Sequence, residues 1–475
     1  MRTLARVVAI SALLAFGSAA CNNWLTGPGL TTPLNDPVSA SRDQRLVSVE
    51  ATMGVQLTGT LARAVCMWVQ QCAGVQRQYS ATEIYNTTSS DFDTEFETVY
   101  GGGGLLDIRF IETDAAAAGD SVYEGVGKVL EALDMSSTAD LWGDVPYSQA
   151  VQAAQNLAPK FDSQLSVYTA LLTVLSQAIV ELGGPGAGPA ATGVDLWYNG
   201  SKTKWTQLAH TLKARIYLHL VQRQGQAGVP CSACYANALA EANQGISTSA
   251  NDLQTYQSAT STEWNLWYQF MVIQRSGYLA MGAQLVDSIM VKRNDPRLPL
   301  YFALDGNGRY QGAAPGDASD PTVQSSLAAA RGGDVSGEGF QQPLVTHAEV
   351  QLIIAEAAYQ TGDTVAGGTA LASLNAERTA AGLTTIPATV TGLALLDSIM
   401  IEKYVVMFQN METWNDLKRE CIPALVVPAA AVAAGATSII ARPFYGATEE
   451  SANANAEPDP TSGRNWNDTN TNTCP

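Results

Sequence analysis

DSVYEGVGKVLEALDMSSTADLWGDVPYSQA (120–150) is the stretch from which the rest of the chain is read. Its apolar residues recur at helical spacing as far as Trp142. Gly143 then breaks the pattern. Pro146 forbids its continuation, because proline has no N–H to donate and its ring clashes with the preceding turn. WGDVPY (142–147) therefore reads as a helix exit into a tight turn, with Trp142 and Tyr147 packing on either side.

The same helical spacing returns on both sides of this segment, at 45–69, 163–182, 204–222, 365–382 and 395–420. At 347–362 it places Val350, Ile353, Ile354, Ala357 and Ala358 on one stripe, with Gly362 as a C-cap. Strand-like runs are short and few. Connections at 183–203, 244–275 and 292–344 are long and rich in Gly, Asn, Asp, Ser and Pro. Loops of that length commonly carry function. The expected fold is mainly α: a single large domain of tetratricopeptide-like helix pairs, as at 347–382 and 395–420, with long irregular ligand-binding loops. No repeat consensus recurs at a fixed period.

Composition narrows the function classes. The 475 residues include 26 Lys plus Arg and 44 Asp plus Glu, a net charge of −18. Such a chain repels polyanions, so nucleic acid is not an expected partner. Three histidines, His210, His219 and His347, leave little material for a His-rich metal centre, and no metal or cofactor is expected. After residue 20 no apolar run reaches the ~18 residues of a membrane span.

Residues 1–20 have Arg2 and Arg6 ahead of an apolar stretch from Val7 to Phe16, then small residues: a signal peptide. Ser18 and Ala20 suit ordinary secretory cleavage. Ser18-Ala19-Ala20-Cys21 also resembles a bacterial lipobox, in which Cys21 is lipidated, although Ser18 stands where Leu is usual. Cysteine parity favours lipidation: of seven cysteines, Cys21 would leave six. Cys66 and Cys72, and Cys231 and Cys234, form close pairs, leaving Cys421 for Cys474; Cys66 or Cys72 are the competing partners of Cys474. Residues 21–44 read as a tether and 45–475 as the folded domain.

Several segments carry a family resemblance, in order along the chain. They are WGDVPY (142–147), DLWYNGSKTKWTQLAHTLKARIYLHL (195–220), NDPRLPLYFALDGNGRYQG (294–312), HAEVQLIIAEAA (347–358), IEKYVVMFQNMETWNDLKRECIP (401–423) and RPFYGATEESANAN (442–455). Together with the lipobox they resemble the SusD/RagB family of outer-membrane nutrient-binding lipoproteins. Departures are Ser201 in place of Asp, His210 in place of Asn and Gly446 in place of Pro. The resemblance implies a mostly helical lid on a SusC-like TonB-dependent transporter. Such a protein is surface-exposed, lipid-anchored to the outer membrane and not an enzyme, and it captures glycans or peptides for uptake.

Within these motifs Trp142, Asp144, Pro146, Asp295, Pro296 and Arg297 read as architecture, the last three as a turn with a buried Arg–carboxylate pair. Glu349 and Glu356, two turns apart, read as helix-pairing residues. Glycan binding calls for aromatic faces beside amides. Two loop clusters offer them: Tyr79, Tyr85 and Asn86, with Trp68 upstream, and Trp264, Asn265, Trp267 and Tyr268. Gly101 to Gly104 lacks the GK[ST] of a phosphate loop. Cys231-Ser-Ala-Cys234 reads as a structural disulfide at a helix start. The rival functions are a surface glycoside hydrolase or peptidase, whose two carboxylates no spacing singles out, and a helical scaffold that binds only proteins.

Overall fold

The computed structural model describes residues 40–152, 155–317, 321–365, 368–456 and 463–470. The signal segment, Cys21 and Cys474 lie outside the described residues. Residues from Arg45 onward form one compact unit. Its principal helices are α1 (Arg42–Thr58), α2 (Thr60–Trp68), α3 (Asp93–Tyr100), α4 (Leu105–Ala118), α5 (Ser121–Trp142) and α6 (Gln164–Leu182). They continue with α7 (Lys202–His219), α8 (Cys234–Ala242), α9 (His347–Gln360), α10 (Thr369–Ala380), α11 (Leu393–Val406) and α12 (Glu412–Glu420). The fold is mainly α, as the periodicity implied. Three antiparallel two-stranded ribbons join Cys72–Gly74 to Leu279–Met281, Val145–Pro146 to Phe161–Asp162, and Leu253–Gln254 to Pro343–Val345.

From α4 to α8 each helix packs on the next. α8 then packs on α9, which packs on α10 and α11. The stack is thus continuous in space although residues 243–346 interrupt it in sequence. α9 is buried on two sides. Val350, Ile353, Ile354 and Ala357 face the main core, while Leu352, Ala355 and Ala358 meet α10 and α11 in a second one. Ala358 therefore lies off the stripe assigned to it.

Local chemistry sets the helix ends. Asp120 caps α5 by accepting the Tyr123 N–H at 3.1 Å, and Thr346 caps α9 through the Glu349 N–H at 3.1 Å. Gly362, at φ +100°, closes α9 as expected. The turn after α5 needs Gly143 at φ +79°, where a Cβ would come 3.0 Å from Asn465. Trp142 Nε1 donates to the Phe444 carbonyl (2.8 Å), and the Tyr445 hydroxyl donates to the Asp144 carbonyl (2.6 Å). The C-terminal segment thus fastens the WGDVPY turn.

Some boundaries differ from expectation. The 45–69 stretch is two helices divided at Gly59, and 395–420 divides into α11 and α12. In both, the apolar spacing runs on through a bend that it does not record. α1 starts within the expected tether. α6 is long and apolar enough to cross a bilayer by composition, contrary to the sequence reading. However, Leu171, Leu175 and Ala178 bury one face of α6 in the core, and the helix packs between α5 and α7.

Buried ion pairs tie the stack together and join the interrupting segment to it. Arg215 donates to Glu349 (2.6 Å), and Arg419 and Lys403 both pair with Glu356. Glu402 receives Arg293 (3.1 Å), Arg297 (2.7 Å) and Arg378 (3.1 Å). Asp295 accepts two bonds from Arg297 at 2.9 and 2.8 Å, the buried pair expected in that turn.

Candidate functional site

The structure brings the two aromatic loop clusters together but turns most of their rings inward. The Tyr79 ring lies 4.8 Å from that of Phe270, and its hydroxyl accepts from Arg63 Nε at 2.7 Å. Trp68 is fully buried, 5.1 Å from the Trp414 ring, with its Nε1 donating to the Thr82 carbonyl (3.1 Å). Trp267 is also fully buried, and Tyr268 is buried against the Trp264 ring at 5.4 Å. Asn265 caps a short turn: its Oδ1 accepts the Trp267 and Tyr268 N–H groups at 2.9 and 3.1 Å, and its Nδ2 donates to the Phe340 carbonyl at 2.9 Å. The expectation of ligand contact at Trp68, Tyr79, Asn265, Trp267 and Tyr268 is therefore corrected. These rings plug the core beneath the loops, and the amide satisfies loop backbone. Tyr85 and Trp264 remain partly exposed, and Asn86 is exposed.

Tyr85 lines a cleft of about 390 Å³, a size typical of small-ligand sites. Its backbone turns at φ +65° just beyond the short helix Arg77–Glu83. The ring is thereby laid against the irregular segment 434–444, where its hydroxyl bonds the Ile440 backbone. Burial, and then the nearby Glu83 carboxylate, hold the Tyr85 phenol well above its ordinary range, so it stays neutral. Burial likewise pushes Glu83 up to about 8, against the Gly316 N–H that bonds it at 3.0 Å. Thr437, Ser438, Arg442 and Arg464 supply the polar side chains of the wall. Arg442 lies over the Tyr445 ring at 4.7 Å, and Arg464 pairs with Asp468 at 2.9 Å. Trp264 does not line this cleft.

Sequence reasoning had Tyr85 but missed the opposite wall. The run VVPAAAVAAGATSII (426–440) holds neither ring nor amide, and RPFY (442–445) figures only in a segment of family resemblance.

Asp140, His219 and Glu412, from α5, α7 and α12, are close enough to suggest a metal centre. His219 Nδ1 lies 2.9 Å from Asp140, and Nε2 lies 2.7 Å from Glu412. Burial alone would lower the imidazole, but the two carboxylates outweigh it and push it up to about 10. Both ring nitrogens thus face carboxylates, and the group acts as an ionic rivet between three helices. Two disulfides have both partners among the described residues, Cys66–Cys72 and Cys231–Cys234, the latter at the start of α8. Cys421 is also disulfide-bonded.

A SusD-like family model, described as "Starch-binding associating with outer membrane", matches residues 35–445. Solved structures share the fold. A SusD/RagB family protein of Bacteroides thetaiotaomicron is 21% identical, with 88% of this chain and 95% of that one covered at a TM-score of 0.65. A chitin-binding SusD homologue of Flavobacterium johnsoniae is 18% identical over 90% of this chain and 99% of its own, at a TM-score of 0.71. A SusD homologue of Bacteroides uniformis is 17% identical over 90% and 99%, at 0.72. No curated protein sequence matches significantly.

Proposed function

This chain belongs to the SusD-like family, and from that membership and the cleft we propose that it captures an oligosaccharide and passes it to a SusC-like TonB-dependent transporter. The reading has it held on the outer face of the outer membrane by a lipid on Cys21, binding its cargo without turnover. The observation that carries it is the open cleft of about 390 Å³ beside the Tyr85 ring. An aromatic face at the mouth of such a cleft stacks on the apolar face of a sugar ring, and the side chains of Thr437 and Ser438 can bond its hydroxyls. The family's description and the chitin-binding neighbour support a glycan over a peptide.

Glycan-array screening followed by titration calorimetry tests the reading. Binding without release of shorter sugars, lost by about tenfold in Tyr85→Ala, supports capture. Hydrolysis of the bound glycan supports the surface hydrolase instead, and no glycan binding at all overturns the reading. Cys21→Ser is expected to move the protein from the membrane fraction to the soluble one, because the acyl chains supply about 0.8 kcal/mol per buried CH₂. Retention after a carbonate wash would place the anchor elsewhere. Co-purification with a co-expressed TonB-dependent barrel tests the partner.

A further inference from the structure

The charge of the cleft runs against the charge of the chain. Acidic residues outnumber basic ones 44 to 26 overall, yet the charged side chains that line the cleft among the described residues are Arg442 and Arg464. We propose that the cleft selects acidic oligosaccharides, with the two guanidinium groups taking a uronate carboxylate while Tyr85 holds a sugar ring. The proposal rests on the cleft being the capture site.

Arg442 carries the argument furthest. It makes no hydrogen bond and no ion pair among the described residues, and its Nε is buried without a partner. Other buried guanidinium groups of the fold have partners built in: Arg215 has Glu349, Arg297 has Asp295 and Glu402, Arg419 has Glu356, and Arg63 donates to the Tyr79 hydroxyl. Burying a donor without an acceptor costs about 1–3 kcal/mol, more for a charged one. The Tyr445 ring covers one face of Arg442 at 4.7 Å, and stacking of that kind leaves the N–H edge of a guanidinium available. A ligand carboxylate supplies the fork-to-fork partner that the chain withholds.

The surroundings fit the same ligand. Arg464 is tied to Asp468 through Nη1 at 2.9 Å, which holds the side chain at the cleft while its other donors stay available. The hydroxyls of Thr437 and Ser438 stand on the same wall. The N–H groups of Thr437, Ser438, Ile439 and Ala441 make no backbone hydrogen bond among the described residues, whereas that of Ile440 is taken by the Tyr85 hydroxyl. Donors predominate here, as oxygen-rich anionic sugars require.

The test is calorimetry on the purified full chain. The probes are tetrasaccharides of galacturonate, glucuronate and mannuronate, each beside its own methyl ester, which keeps the ring and removes the charge. At least one acid is expected to bind about tenfold more tightly than its ester. The gap should shrink as salt rises from about 50 to about 500 mM and close in Arg442→Gln. Arg464→Gln repeats the test at a half-buried rim position should Arg442→Gln unfold. An acid–ester gap below about tenfold throughout the panel, or a gap that survives both substitutions, overturns the proposal. If neutral glycans bind as tightly as the acids and Tyr85→Ala abolishes them all, capture stands and acid selection falls. If no sugar binds, both fall.

Discussion

In the helical stack the charged side chains are buried and matched, whereas among the described residues those lining the cleft are of one sign and one of them is unmatched. Glu356, fully buried, faces Arg419 and Lys403; Arg442, at the cleft, lies over the Tyr445 ring and has no ion pair among the described residues. Both regions use residues from the family-like segments. The difference lies in whether a partner was built in. A matched buried pair fixes helix register, and an unmatched cation next to open space is a place for something from outside. Segments that look alike in sequence can thus serve either end.

The comparison breaks first at its strongest member. Glu356→Ala removes the carboxylate shared by two buried cations, leaving Lys403 and Arg419 to divide Asp416 between them, and is expected to cost about 3–5 kcal/mol in chemical denaturation. Arg442→Gln, with no partner to strand, should cost less than about 1 kcal/mol. Similar losses in the two variants would mean that Arg442 is as structural as Glu356.

The rings offer the same test. Trp267→Ala removes a fully buried indole and should cost about 3–5 kcal/mol. Tyr85→Ala, at the cleft, should leave the thermal midpoint within about 1–2 °C, because the unfolding entropy of a domain this large makes a loss near 1 kcal/mol a shift of only about 1 °C.

Proton linkage gives an intermediate effect. Burial pushes Glu83 up to about 8 and Asp252 up to about 7, and burial, then the Asp195 carboxylate, raises Glu50. A carboxyl raised in the fold binds more protons folded than unfolded. Its contribution is therefore full below the unfolded value, near 4.5 for Glu83, and is lost as pH climbs through the folded value. His219, raised to about 10, acts in the same direction from its unfolded value of 6.5 upward. The midpoint should be higher at pH 5 than at pH 8, each group contributing at most about 1.4 kcal/mol per unit. Glu83→Gln should flatten the slope. A midpoint that rises from pH 5 to pH 8 would contradict this. Below pH 4 the trend reverses, because the Asp295 and Glu356 carboxyls, held low by their arginines against the pull of burial, then lose their charge.

The stack was legible because helices announce themselves by period, and α5, α6 and α9 begin within a residue or two of where spacing and caps place them. The break at Gly59 was not, since apolar spacing continues across it. The site was only half legible for a different reason. A Trp or Asn that plugs a loop root has the same letters as one that meets a sugar, and burial separates them only once the fold is formed. Trp267 and Asn265 belong to the first kind, and Tyr85 lines the open cleft. The far wall of the cleft is made of small residues and free backbone, which no search for aromatic-plus-amide clusters can detect.

Trp264 sits between the two kinds and has the smallest expected effect. It is half-buried, its ring meets the edge of Tyr268 at 5.4 Å, and its Nε1 donates to the exposed Ala259 carbonyl at 3.1 Å. The aromatic contact and the partial burial are together worth about 1 kcal/mol, since an edge-to-face pair adds about 0.5–1.5 and an exposed hydrogen bond adds little beyond what water offers. Because the indole does not line the cleft, Trp264→Ala should leave glycan affinity within about twofold while Tyr85→Ala loses about tenfold. Should Trp264→Ala weaken binding as much as Tyr85→Ala with the midpoint unchanged, the sugar reaches beyond the cleft onto the 256–264 loop. The contacts would then extend to both aromatic loop clusters.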